Sequence, residues 1–306
     1  MAVAIENNKT QTLDSFLPPE MASKAEMVGR KKAGMGFWNT FALAILAGAF
    51  IGMGAVFATT VTAGASGHLS FGVTKLLGGL VFSLGLILVI VGGAELFTGN
   101  NLIVMAWADS KVSTGKLLRN WGIVYLGNFV GSLGTALLML YTKQFSFGGG
   151  AIGLNILNIA NGKVHLGFMQ AIALGIMCNA LVCLAVWLCF SARTVTDKVM
   201  AIVFPITAFV AAGFEHSVAN MYFLSIGWLV KTNAPESFWQ AIGKSAADYA
   251  DITWGNILLK NLLPVTIGNI IGGAVLVGLV YWFIYVRKEM HPYDPQAHRH
   301  PHHSEN

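Results

Sequence analysis

The chain has 306 residues, 55% of them hydrophobic and only 11% charged, with a mean hydropathy of +0.63 and a formal net charge of +5. Soluble domains carry about a quarter charged residues, so these proportions exclude an ordinary soluble domain and indicate an integral membrane protein. The charge is too sparse to argue for nucleic acid, and the three cysteines, Cys178, Cys183 and Cys189, share one apolar run, which suits small buried residues rather than a disulfide frame.

Residues 1–36 hold no apolar core segment, so no cleavable signal peptide is expected. Within them, Pro18 and Pro19 open a stretch from Leu17 to Met35 that predicts a short amphipathic helix at the membrane surface. Six membrane spans follow, since about 20 apolar residues cross a bilayer. The first runs from Phe37 to Val61, and the second from Lys75 to about Ala108, interrupted by Glu95. The third covers Asn120 to Tyr141 and leads into a long loop containing Gly148, Gly149 and Gly150. The fourth runs from about Val164 to Phe190, and the fifth from about Val199 to Val230, broken around Glu215. The sixth covers Asn261 to Val286, with kinks expected at Pro205 and Pro264. The expected organisation is a cytoplasmic segment (1–36), a six-helix channel domain (37–287) and a His-rich tail (288–306), solvated rather than metal-binding. Most of the 19 Lys and Arg fall on the side of the two termini, which places both ends in the cytoplasm.

The two halves repeat. GAELFTGNN (Gly93 to Asn101) and GFEHSVANM (Gly213 to Met221) share Gly-x-Glu-x-x-x-x-Asn, matching Glu95 with Glu215 and Asn100 with Asn220. A second pattern, Asn-x6-Gly-Asn-x2-Gly, joins Asn120, Gly127, Asn128 and Gly131 to Asn261, Gly268, Asn269 and Gly272. With three spans per copy, the second copy enters from the opposite face, which gives an inverted repeat. Carboxylates are costly in hydrocarbon, so Glu95 and Glu215 mark two broken helices meeting at one pore. This is an all-α, aquaporin-like architecture, yet no Asn-Pro-Ala motif occurs, which disfavours water or glycerol conduction.

GGAELFTGN, AAGFEHSVANM and PVTIGNIIGG resemble the formate/nitrite transporter family, and KVHLGFMQA with LVCLAVWL is similar to its formate-channel branch. The resemblance covers roughly residues 17–288 and leaves the tail uncovered. It implies a homopentamer in the bacterial inner membrane, each protomer with its own pore for formate. Nitrite is the alternative, with hydrosulfide or lactate behind it. No cofactor is expected. A haem-bearing anchor commonly needs two histidines at membrane depth, and only His216 qualifies. Self-association, the lipid bilayer and a cytoplasmic formate-metabolising enzyme met through the N-terminal segment are the partners considered.

The candidate pathway residues follow from both readings. His216, at a break, offers a proton or a hydrogen bond to a small carboxylate, or else ties the broken backbone together as a neutral ring. Thr98 occupies the other break; its hydroxyl caps the next half-helix or bonds the substrate, and the family match sets it facing His216. Ser217 is expected to cap the second half-helix. Glu95 and Glu215, with Asn100 and Asn220, are expected to support the breaks, the carboxylates accepting freed backbone N–H groups. Lys163, at the outer start of the fourth span, is expected to draw anions inward, or to snorkel. Phe82, Leu86, Leu96 and Phe209 match the family's apolar constrictions, Phe82 and Leu86 lying four apart on one helix face. Asn269 is a candidate pore-lining donor, with Asn128 and Asn179 as interhelical glue.

Overall fold

The computed structural model describes residues 14–287, and among them every regular element is helical. The leader up to residue 13 and the His-rich tail from residue 288 lie outside the described residues. Helix α1 (Pro18–Gly34) precedes the first passage, α2 (Phe37–Thr62). The second passage is α3 (Phe71–Gly92), a non-helical break, a 3-10 turn (Gly99–Ile103) and α4 (Val104–Ala108); the third is α5 (Thr114–Tyr141). A separate helix, α6 (Ala151–Val164), stands before the fourth passage, α7 (Phe168–Ser191). The fifth is α8 (Val195–Ala211), a second break and α9 (Ser217–Asn233), followed by the short α10 (Glu236–Ile242). The last passage strings together α11 (Trp254–Asn256), α12 (Leu263–Ile270) and α13 (Val280–Tyr285) through wider π-helical turns at Ile257–Leu262 and Ile271–Leu279.

Lengths fit a bilayer. The unbroken passages α2, α5 and α7 have 26, 28 and 24 residues; at 1.5 Å per residue they measure about 36–42 Å, enough for a hydrocarbon core about 30 Å thick. Without a hydrophobic force between helices in lipid, close approach depends on small residues. Gly131 of α5 faces α2 so closely that a Cβ would collide with the Ile45 carbonyl, and Gly272 meets the Ile176 carbonyl of α7 in the same way. The two halves are therefore packed by one rule, each third passage seated on the first passage of its own repeat.

Two expectations change. The predicted long loop after the third span contains α6, so Lys163 belongs to the last turn of that helix and not to the start of the fourth span. Helix α1 does not simply lie on the membrane. Its buried stripe (Met21, Ala22, Ala25, Gly29, Ala33) packs into the protein, where Gly29 rests on Ile103 and Ala106 beyond the first break. The boundary drawn at residue 36 thus separates a helix from the domain it completes.

Candidate functional site

Each break opens on a glycine in the left-handed region, Gly93 with φ +76 and Gly213 with φ +75. Neither has an atom within 4 Å of a virtual Cβ, so backbone conformation, not space, selects glycine there. The chain then runs non-helically to Phe97 and to His216, which frees backbone groups that need partners at membrane depth.

Those partners are asparagines. Asn128 donates both amide hydrogens, to the Ala44 carbonyl (2.8 Å) and the Glu95 carbonyl (2.9 Å), and its Oδ1 accepts the Phe97 N–H (2.9 Å). Asn269 does the same at the other break: it donates to the Gly175 carbonyl (2.8 Å) and the Glu215 carbonyl (2.9 Å) and accepts the Ser217 N–H (2.9 Å). The expectation that Asn269 lines the pore as a donor is corrected, because both its N–H groups are taken and the side chain is fully buried. The glutamates are corrected too. Their carboxylates do not serve the backbone of the breaks, since the asparagines already do.

The carboxylates instead anchor two matching clusters. Glu95 Oε1 pairs with Lys32 Nζ at 2.9 Å and its Oε2 accepts from Asn100 (2.7 Å), which also donates to Asn120 (2.9 Å). Glu215 Oε1 pairs with Lys163 Nζ at 2.7 Å and its Oε2 accepts from Asn220 (2.6 Å), which also donates to Asn261 (2.7 Å). Asn120 and Asn261 then donate to the carbonyls of Lys32 (3.2 Å) and Lys163 (3.0 Å) respectively. Lys163 is thus ion-paired rather than snorkelling. Lys32, Asn120 and Asn261 are site residues that the sequence reading missed. A signal was present: Lys32 stands before Gly36-Phe37 and Lys163 before Gly167-Phe168, a shared Lys-x-x-x-Gly-Phe. The repeat therefore includes α1 and α6, each delivering one lysine to one break.

The two breaks meet at Thr98 and His216, whose Oγ1 and Nε2 are 2.9 Å apart. His216, not Ser217, caps α9: its Nδ1 accepts the Ala219 N–H at 3.0 Å. The Ser217 hydroxyl has no partner among the described residues, and Thr98 makes no side-chain cap. With Nδ1 accepting, a neutral imidazole carries its proton on Nε2 and donates it to Thr98 Oγ1, leaving the threonine hydroxyl hydrogen free to donate. One ring thus ties the broken backbone through Nδ1 and meets Thr98 through Nε2.

Apolar side chains flank this contact. Phe82 and Phe209 meet edge to face with centroids 5.8 Å apart, and Phe209 stacks on His216 at 5.9 Å. Helix α8 ends at Ala211, so Phe209 reaches His216 by the Gly213 turn and not by helical period. Two cavities approach from opposite ends. One, of about 260 Å³, reaches Leu86 and Leu96 and is lined by Lys32, Glu95 and Asn100, with Lys24 and Lys198 beside them. The other, of about 440 Å³, reaches Phe82, Phe209 and His216 and is lined by Lys163, Glu215 and Asn220. Every one of Phe82, Leu86, Leu96, Thr98, Phe209 and His216 is buried. Two charged vestibules thus face each other across an apolar plug with one polar pair in it.

A family model described as Formate/nitrite transporter matches residues 19–283. The chain belongs to the formate/nitrite transporter family. It is 47% identical over 278 residues to the formate channel FocA of Escherichia coli (strain K12), covering 91% of this chain and 97% of that one. To FocA of Haemophilus influenzae it is 43% identical over 277 residues, covering 90% and 97%. A solved structure described as a pentameric formate channel with formate bound is similar with a TM-score of 0.78 and 52% identity, over 82% of this chain and 98% of that one. Family membership and the apolar helices make the protein a multi-pass membrane protein, and these relatives are named as channels rather than enzymes.

Proposed function

We propose that this member of the formate/nitrite transporter family is a formate channel, passing the anion in either direction across the bacterial inner membrane as a homopentamer with both termini in the cytoplasm. The observation that carries the reading is the pair of lysine-bearing vestibules separated by Leu86, Leu96, Phe82 and Phe209, with Thr98 and His216 between them. The names of the relatives and the bound formate of the similar structure support the substrate.

The vestibule lysines raise the local concentration of a small anion, while their glutamates keep the net field modest enough for it to leave again. The leucines and phenylalanines exclude bulk water and larger solutes. A carboxylate that enters between them takes the place of the Thr98–His216 bond, accepting from the threonine hydroxyl and the Nε2–H. This is hydrogen-bond donation by a neutral ring; a proton-delivering imidazolium would have to give up the Ala219 N–H bond first. Uptake of labelled formate and of nitrite by proteoliposomes tests the assignment: formate preference is expected, and a preference for nitrite overturns the substrate while leaving the fold.

A further inference from the structure

Where α1 ends and α5 begins, on the face that also carries the smaller vestibule, a separate pocket of about 370 Å³ is walled by Arg30, Lys31, Lys111 and Lys116 over a floor that includes Ala33 and Val112. Two acids approach it, Glu26 and Asp109, and both are spent on Lys111, at 2.5 and 2.8 Å. Arg30, Lys31 and Lys116 have no carboxylate partner among the described residues.

The placement is electrostatically unfavourable for an empty pocket. Lys116 is the third residue of α5, Arg119 the sixth, and no acid occurs in that first turn. A helix N-terminus carries a partial positive charge, so cations there are destabilising unless an anion joins them. The fold does not demand them: at the corresponding place in the other repeat, the pocket beside the end of α6 holds Lys260 and His165, and His165 is already paired with Asp251 at 3.0 Å.

The surroundings indicate which anion. Lys31 and Gly34 also line an adjoining groove of about 620 Å³ that continues along α2 past Asn39 to Ala42 and Leu43. Trp38, 78% exposed, and Phe37 stand on the same first turn of α2, where aromatic side chains mark the membrane–water boundary. A cationic pocket at headgroup depth, opening into a groove that descends along a spanning helix, has the shape of a phosphate with acyl chains attached.

We propose that this pocket binds the phosphate headgroup of an anionic phospholipid, its chains lying along the first turns of α2. The site stands apart from the transport path and does not depend on what the channel carries. The full chain, purified and delipidated in detergent, is titrated with phosphatidylglycerol or phosphatidylcholine and bound lipid is counted by native mass spectrometry. The native protein is expected to prefer phosphatidylglycerol by on the order of 10- to 100-fold, for about three cations. Arg30→Gln/Lys31→Gln/Lys116→Gln should abolish the preference, and Lys116→Gln alone should reduce it if the triple variant fails to fold. Equal binding of the two lipids, or an undiminished preference in the variants, overturns the site. Displacement of the lipid by inorganic phosphate at equal concentration overturns the assignment to a lipid.

Discussion

The Lys163–Glu215 pair makes a sharp quantitative prediction, because charge and fold are coupled in it. Nζ and Oε1 are 2.7 Å apart, and the two side chains are 16% and 7% exposed. Removing one partner of a buried pair costs about 3–5 kcal/mol, since the other charge is left without its counterion. Glu215 keeps its bonds from Asn220 and Asn261, so Lys163→Met should cost about 3 kcal/mol, the low end of that range. Glu215→Gln leaves a lysine with some access to water and should cost about 1–2 kcal/mol. The double variant buries no charge and should lose less than the sum, by about 2 kcal/mol. Reversible unfolding in mixed detergent micelles measures all three, and formate flux is read on the same samples. Costs that add within about 0.5 kcal/mol would refute the coupling. A double variant that is stable yet slow would assign the lysine charge itself to anion capture.

Three other outcomes follow from the geometry. Asn269→Leu, which orphans the Gly175 and Glu215 carbonyls and the Ser217 N–H, should destabilise by about 3 kcal/mol or more, and Asn128→Leu by a similar amount; unfolding midpoints within error of the native protein would contradict this. Gly213→Ala should cost about 1–2 kcal/mol from left-handed strain alone, without a steric clash, as thermal unfolding would show. His165, outside the spans, faces two acceptors, the Asn161 carbonyl (2.7 Å) and Asp251, and these bonds hold its pKa above the ordinary 6.5. A raised folded-state pKa means stabilisation that is full below 6.5 and lost as pH rises through the folded value. An NMR titration should show Asp251→Asn lowering that pKa, and an unchanged value would refute the contact.

What the sequence made legible was charge out of place. Glu95 and Glu215 stand in apolar runs where only a structural or functional need tolerates them, and their repeat disclosed both breaks and the inverted symmetry. Their partners were harder to read. Lys163 was noticed at the start of a span, whereas its twin Lys32 sat in a polar leader among other lysines, where only the Lys-x-x-x-Gly-Phe it shares with Lys163 sets it apart. Helix α6 was hidden because Gly148, Gly149 and Gly150 announce a loop, although left-handed glycines are also how a chain turns into a helix. The assignment of Ser217 as cap over His216 missed by one residue, a distance at which helix boundaries are not determined by composition. Asn269 and Asn128 were given different roles although the repeat made them equivalent, and in the structure their three bonds match one for one.

In the proposed mechanism Thr98 and the neutral His216 ring donate hydrogen bonds to a carboxylate between the two vestibules. His216→Asn isolates it, because asparagine is a good helix cap and can keep the Ala219 N–H satisfied while being too short to replace Nε2 at Thr98. Formate flux into proteoliposomes, compared with the native protein at equal reconstituted amount and verified fold, should fall by about tenfold or more, as the loss of one hydrogen bond to a charged group implies. A folded His216→Asn channel that passes formate at the native rate would contradict the account.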